Sequence, residues 1–167
     1  FFGSEHDRQA RPQRQGGQTH NLNQTMSFLP DYLTISAEQL GAGTGVPVRV
    51  AGEMMDVARL LAEDLKREII SAHEQGRSAT FIIPVGPVDQ YPLLAEMLNR
   101  ERISCRHVTF IGMDEYLGPD GLWVPLDHPL SFRGYLDRKF YDLVDPDLAP
   151  LPDHRVFPSP SDPGAIP

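Results

Sequence analysis

Two kinds of apolar pattern alternate along the middle of the chain, and this alternation limits the fold more than any other feature. Residues 53–74 carry apolar side chains at three- and four-residue spacing, which is typical of an amphipathic helix. Continuous apolar runs at 79–85 and 107–113 flank a second helical pattern at about 91–101, and such runs are typical of strands covered on both faces. Strands that alternate with helices predict a parallel sheet with right-handed crossovers. The predicted class is therefore α/β, a Rossmann-like parallel sheet with flanking helices in an incomplete three-layer domain.

The remaining elements extend this order at both ends. An alternating segment at 46–50 predicts a short strand before the first helix. A loop over 114–128 leads to a last helix over about 130–143, with Pro129 suited to its first turn. On the first helix, Gly76 is a fitting stop, and the residues expected to face inward are Met54, Val57, Ala58, Leu61, Leu65, Ile69 and Ala72.

The two ends of the chain differ from its middle in composition. Residues 1–25 are polar and are predicted to be a disordered arm, because they cannot bury enough apolar surface to offset the entropy of ordering. Residues 26–160 are predicted to be the N-terminal part of an α/β domain. Seven of the 16 prolines fall between Pro146 and Pro167, so 146–167 is predicted to be an extended segment leading to a C-terminal half that this sequence lacks.

Charge and composition exclude several classes of function. A formal net charge of −8 argues against general binding to nucleic acid or to anionic membranes. No apolar run is long enough to span a membrane, and the first residues do not resemble a signal peptide. The single cysteine, Cys105, leaves no internal disulfide and fits a cytoplasmic location. The six histidines show no metal-ligand spacing, so we expect no metal site.

In an open parallel sheet, ligands bind beyond the carboxyl ends of the strands, and two segments of this chain occupy that position. The first contains Gly86, where backbone amides could hold an anion, although the same residues also suit a stiff turn before a helix. The second contains Asp114, Glu115 and Tyr116 directly after a buried strand. Either carboxylate could simply cap a turn. Alternatively, one could be a general base whose partial burial tunes it toward neutral pH.

His128 and Ser131 form a third candidate group at the start of the last predicted helix. A helix N-terminus attracts anions, so these residues could bind a negatively charged ligand. They are equally compatible with a helix start that binds nothing.

Two of these segments together resemble the glucosamine-6-phosphate isomerase/deaminase family, which shares its fold with 6-phosphogluconolactonase. The matching residues are Thr109 to Tyr116, ending in Asp-Glu-Tyr, and Asp127 to Arg133, containing His-Pro-Leu-Ser-Phe. A further match begins at Phe140, and the resemblance covers about residues 50–160.

The resemblance implies a cofactor-independent reaction on a small sugar phosphate. A ring-opened amino-sugar phosphate would lose its C2 proton to Asp114, the enolamine would be reprotonated at C1, and ammonia would leave to give a ketose phosphate. Glu115 is the second candidate catalytic residue and would shape the site with Tyr116, while Gly86, His128 and Ser131 would contact the substrate. No nucleic-acid or membrane partner is implied, and a homo-oligomer is left open.

Two departures from the family pattern qualify this expectation. The loop at Gly86 lacks the hydroxyl side chains with which the family holds phosphate, and Asp89 would repel that group. The family's ring-opening residues belong to a segment that this sequence does not contain. The chain therefore resembles an N-terminal fragment of a divergent member. The alternatives are a non-enzymatic sugar-phosphate sensor, a 6-phosphogluconolactonase-like hydrolase and a fragment with no activity.

Overall fold

The structure is a computed structural model that describes residues 30–87 and 89–160. These residues belong to two compact units, which divide between Val50 and Ala51. The described part of the first unit, 30–50, contains two single 3-10 turns, Asp31–Leu33 and Ala37–Gln39. The arm predicted over 1–25 lies outside the described residues, and the predicted extent of the α/β domain, 26–160, stays a prediction.

The second unit carries the α-helices and β-strands of the described residues. Short 3-10 helices at Tyr141–Leu143 and Pro152–His154 join its last elements. In chain order the elements are α1 (Met54–Glu74), β1 (Ala79–Ile83), α2 (Gln90–Glu101), β2 (Val108–Gly112), α3 (Phe132–Lys139) and β3 (Arg155–Val156). None of the described helices combines the length and the apolar character needed to cross a membrane.

The three strands form one parallel sheet in the order β1-β2-β3. Ala79 pairs with Val108 and Ile83 with Gly112, so β1 and β2 end at the same level. The predicted α/β class and Rossmann-like parallel sheet are thus confirmed.

The strand predicted at 46–50 is absent, and the sheet takes its third strand from elsewhere. The side chains of Val46, Val48 and Val50 are 67%, 46% and 59% exposed, and the segment pairs with no strand of the described residues. Instead, Arg155–Val156 pairs with Phe110 and Ile111 of β2. Part of the proline-rich stretch predicted to be an extended connection is therefore built into the sheet.

The core lies on one face of the sheet. Ala79, Ile83, Val108 and Phe110 point into it and pack against buried side chains of the three helices. On the opposite face Ile82 is 65% exposed, so the burial of both faces predicted for 79–85 is wrong for this chain. The physical reason is that α1, α2 and α3 all contribute to the core on the same side.

Helix α1 has the predicted length, and Gly76 follows it with a positive φ of 63°, as expected for its stop. The predicted inward face is confirmed at Ala58, Ile69 and Ala72, and Leu65 is partly buried against the core, but Met54, Val57 and Leu61 are exposed. Ala62, which the prediction did not include, is buried as well. Small alanine side chains at these positions let α1 lie close to α2.

Candidate functional site

The carboxyl ends of β1 and β2 form one wall of a cleft. The backbone amide of Met113 donates a hydrogen bond of 3.0 Å to the carbonyl of Ile83, so the segments after the two strands start side by side. A cleft of about 200 Å³ is lined there by Pro84, Val85, Gly86, Met113, Asp114 and Phe132. Two of the predicted site residues, Gly86 and Asp114, are therefore brought together.

Asp114 is exposed and also lines a second cleft of about 240 Å³, with Leu117, Trp123 and Ser159 among its neighbours. Its carboxylate accepts no hydrogen bond from the described residues. The partial burial predicted for this carboxylate is not present. An exposed carboxylate between two clefts is free to contact a ligand in either.

Glu115, the next residue, has the opposite environment. Its side chain is 1% exposed. Its Oε1 accepts hydrogen bonds from the amides of Tyr116 and Phe132, each at 2.9 Å. Its Oε2 accepts from the Arg133 amide at 2.9 Å, from Ser131 Oγ at 3.0 Å and from Arg133 Nε at 3.1 Å. The carboxylate thus satisfies the first amides of α3, which have no partner inside the helix.

These contacts determine the charge state of Glu115. Burial alone would raise its pKa, but the hydrogen bonds from the amides of Arg133, Phe132 and Tyr116 and from the Ser131 hydroxyl outweigh that effect. The pKa of Glu115 is therefore lowered from its usual value. The residue is a carboxylate at neutral pH, held at the positive end of α3.

Ser131 caps α3 and lines neither of the clefts at Asp114. Its residue surface is 1% exposed, and its Oγ accepts from the Gly134 amide at 3.1 Å while donating to Glu115. Because the hydroxyl is used within the protein, the structure favours the helix-start interpretation over a contact with substrate.

Tyr116 and His128 occupy different places. Tyr116 is 47% exposed, and its ring packs edge-on against Phe132 at a centroid distance of 5.1 Å, beside the first cleft. His128 accepts a hydrogen bond from the Leu130 amide at Nδ1 (3.2 Å) and lines a separate cavity of about 450 Å³ with Trp123 and Pro125. Asp114 does not line that cavity, so the structure does not bring His128 to the Asp114 clefts.

The loop at Gly86 is organised by the helix after it. Gln90 Nε2 donates to the Pro87 carbonyl at 2.7 Å, and the Tyr91 hydroxyl donates to the Pro84 carbonyl. The Gly86–Pro87 peptide bond is cis. Among the described residues, no lysine or arginine lines either cleft at Asp114, so these walls offer a phosphate no cationic side chain.

Arg133 was not singled out from the sequence, yet it connects most of the site. Besides its contact with Glu115, its Nη2 donates to the Val124 carbonyl at 2.6 Å, and its guanidinium lies 4.4 Å from the centre of the Trp123 ring. The sequence feature that could have identified Arg133 is its position in the first turn of the last helix, 18 residues after Glu115. In the described part of the chain, no group of three His, Cys, Asp or Glu side chains could hold a metal ion.

The structure thus describes an α/β protein whose candidate site lies at the carboxyl ends of a parallel sheet, where ligands of such folds usually bind. No family model matches the chain. The chain is 38% identical over 65 residues to the glucosamine-6-phosphate deaminase of Cronobacter sakazakii, covering 38% of the chain and 23% of that protein. It is 32% identical over 98 residues to the same enzyme of Exiguobacterium sibiricum, covering 59% of the chain and 34% of that protein.

A solved structure supports the fold. A monomeric glucosamine-6-phosphate deaminase, described as a missing link of the NagB superfamily, matches with a TM-score of 0.53 and 18% identity, over 73% of this chain and 45% of that one. The chain thus spans about a quarter to a third of the length of the two curated relatives. These likenesses confirm the predicted resemblance to the glucosamine-6-phosphate deaminase family.

Proposed function

We propose that the protein containing this chain is an amino-sugar-phosphate isomerase/deaminase and that Asp114 is its general base. The observation that carries the proposal is the exposed Asp114 carboxylate at the carboxyl end of β2, where it lines two clefts. The relatives named glucosamine-6-phosphate deaminase support glucosamine 6-phosphate as the first substrate to test.

In the proposed reaction, the Asp114 carboxylate removes the C2 proton of the ring-opened aldose and leaves an enolamine. A proton is then delivered to C1, which gives an iminium at C2. Water adds to that carbon and ammonia leaves, so the products are a ketose phosphate and ammonia. A positioned acid–base group of this kind contributes roughly 10²–10⁴ to the rate.

The clefts at Asp114 suit the carbon skeleton of a sugar better than its phosphate. Their walls are formed mainly by apolar and aromatic side chains, including Met113, Phe132 and Trp123. We therefore assign phosphate recognition to residues outside these two clefts. A homo-oligomer stays a prediction.

The test is ammonia release from glucosamine 6-phosphate by the full-length protein, compared with its Asp114→Asn variant. The proposal expects release by the unmodified protein and a loss of roughly 10²–10⁴ in kcat for the variant. Saturable binding of the sugar phosphate without ammonia release would instead support the sensor alternative. Release from the variant at the unmodified rate would remove Asp114 from the role of base.

A further inference from the structure

The position of Asp114 depends on the backbone around it, because its own carboxylate forms no hydrogen bond or ion pair with the described residues. On one side, the Met113 amide is bonded to Ile83 of β1. On the other side, the chain is fixed by the Glu115 carboxylate and by the Val124 amide, which donates to the Tyr116 carbonyl at 3.0 Å. The attachment of Glu115 therefore sets where Asp114 enters the clefts.

We propose that Glu115 is a positioning residue that holds Asp114 in place and transfers no proton itself. The inference rests on the proposed function, since it assigns Asp114 and Glu115 different parts in the same reaction. Glu115 forms part of the wall of the second cleft, but its side chain is 1% exposed and both of its oxygens are occupied by donors. A carboxylate in this state has no free lone pair directed at a substrate.

Arg133 extends this attachment to a third segment of the chain. Its Nε contacts Glu115, its Nη2 contacts the Val124 carbonyl, and its guanidinium stacks on Trp123. One ion pair thus ties the end of β2 and the loop at Trp123 to the first turn of α3. Because Trp123 also lines the second cleft, a change at Glu115 is expected to move both Asp114 and the wall facing it.

The decisive variant is Glu115→Gln, which keeps the shape of the side chain and removes its charge. In the unmodified protein, N–H groups donate to both oxygens of Glu115. In the variant, one oxygen is replaced by an NH2 group that cannot accept these hydrogen bonds, so the side chain and the backbone attached to it would shift. Displacements of about 1 Å at a reacting group cost roughly 10²-fold in rate. We expect kcat for glucosamine 6-phosphate in the full-length variant to fall about 10²-fold, with KM changed by less than about threefold.

The pH profile separates positioning from proton transfer. If Asp114 is the base and Glu115 only positions it, the acid limb of the kcat profile persists in Glu115→Gln at reduced amplitude. The limb disappears in Asp114→Asn. Glu96→Gln, which changes a largely exposed glutamate paired with Arg100, is the matched control and should behave as the unmodified protein.

The second variant, Arg133→Lys, covers the case in which Glu115→Gln fails to fold. It keeps the positive charge but loses the stacking on Trp123 and the bond to Val124, and we expect kcat to fall about tenfold with an unchanged pH profile. Unmodified kcat in Glu115→Gln, or loss of its acid limb, overturns the proposal.

A separate readout covers the case in which the unmodified protein releases no ammonia, so that the proposed function itself fails. The NMR signal of the Asp114 carboxyl carbon should still move in Glu115→Gln and not in Glu96→Gln. An unmoved signal would overturn the positioning role without reference to turnover.

Discussion

Asp114 and Glu115 are neighbours in the chain, yet the first carboxylate is exposed between two clefts and the second is enclosed at the start of α3. The difference arises 16 to 18 residues further along the chain, where Ser131, Phe132 and Arg133 present four N–H or O–H donors to Glu115. The sequence gives no sign of this difference between two adjacent acidic residues. In the fold, Asp114 is accessible to a ligand, whereas Glu115 is held by hydrogen bonds within the protein.

The anchored carboxylate should make stability depend on pH. Because the pKa of folded Glu115 is lowered, its contribution is fully present above the unfolded value of about 4.3 and is lost as the pH falls through the folded pKa. At neutral pH, Glu115→Gln should cost about 3 kcal/mol, since it breaks a buried ion pair. Denaturant unfolding at several pH values should show this difference shrink below about pH 4. A cost that is independent of pH would contradict the account, and Glu96→Gln should behave as the unmodified chain.

Gly134 is predicted to tolerate no side chain, although it lies inside a helix. A Cβ at this position would lie 1.8 Å from the Leu126 carbonyl oxygen, so α3 and the preceding loop would have to separate. Helix propensity alone would make alanine more favourable by about 1 kcal/mol. We expect Gly134→Ala instead to destabilise the chain by about 1–3 kcal/mol in denaturant unfolding. Gly45→Ala, where a Cβ meets open space, is the control, and a more stable Gly134→Ala would refute the contact.

Phe140 is the centre of an aromatic cluster in the core. It is 0% exposed, and its ring centre lies 5.2 Å from that of Phe110 and 5.8 Å from that of Tyr91. Phe140→Ala should cost about 3–5 kcal/mol through lost burial and the cavity left behind. Leu143→Ala, at a residue that is 45% exposed, should cost far less in the same thermal or denaturant experiment. Equal costs would place Phe140 outside the core.

Cys105 is predicted to be unreactive while the chain is folded. It is 0% exposed, its amide is bonded to the Leu148 carbonyl, and burial raises the pKa of its thiol to about 12. At about pH 8 the folded protein should therefore resist iodoacetamide, whereas the unfolded chain, with a thiol pKa of about 8.5, should be labelled. Mass spectrometry before and after denaturation measures this directly. Complete labelling in native buffer would show that the surroundings of Cys105 open readily.

The parts of the fold that the sequence predicts well are those with a long or uniform pattern. Helix α1 has 21 residues of regular spacing, and β1 and β2 are continuous apolar runs, so these elements form where the local pattern predicts them, although Ile82 of β1 is exposed. The inward face predicted for α1 is confirmed at Ala58, Ile69 and Ala72 and is wrong at Met54, Val57 and Leu61, which lie nearer the start of the helix. The two residues of β3 lie among prolines and become a strand only because β2 offers an open edge.

In the candidate site, too, some features follow from the local sequence pattern and others depend on how the elements pack together. The position of Asp114 and Gly86 at strand ends is expected from a parallel sheet, and the structure brings them to one cleft. The burial of Glu115 and Ser131 could not be read from their neighbours in sequence, because it depends on the docking of α3 against the end of β2. His128 lies in a motif with Ser131, yet it lines another cavity, while the Ser131 hydroxyl caps α3.

The most direct test of the central claim is hydrogen exchange at the sugar carbons. Glucosamine 6-phosphate is incubated with the full-length protein in deuterated water, and deuterium at C1 of the product and C2 of recovered substrate is monitored by NMR. The account predicts incorporation by the unmodified protein and a rate lower by roughly 10²–10⁴ in Asp114→Asn, with Asp153→Asn, at another exposed aspartate, unaffected. Incorporation by Asp114→Asn at the unmodified rate would contradict it.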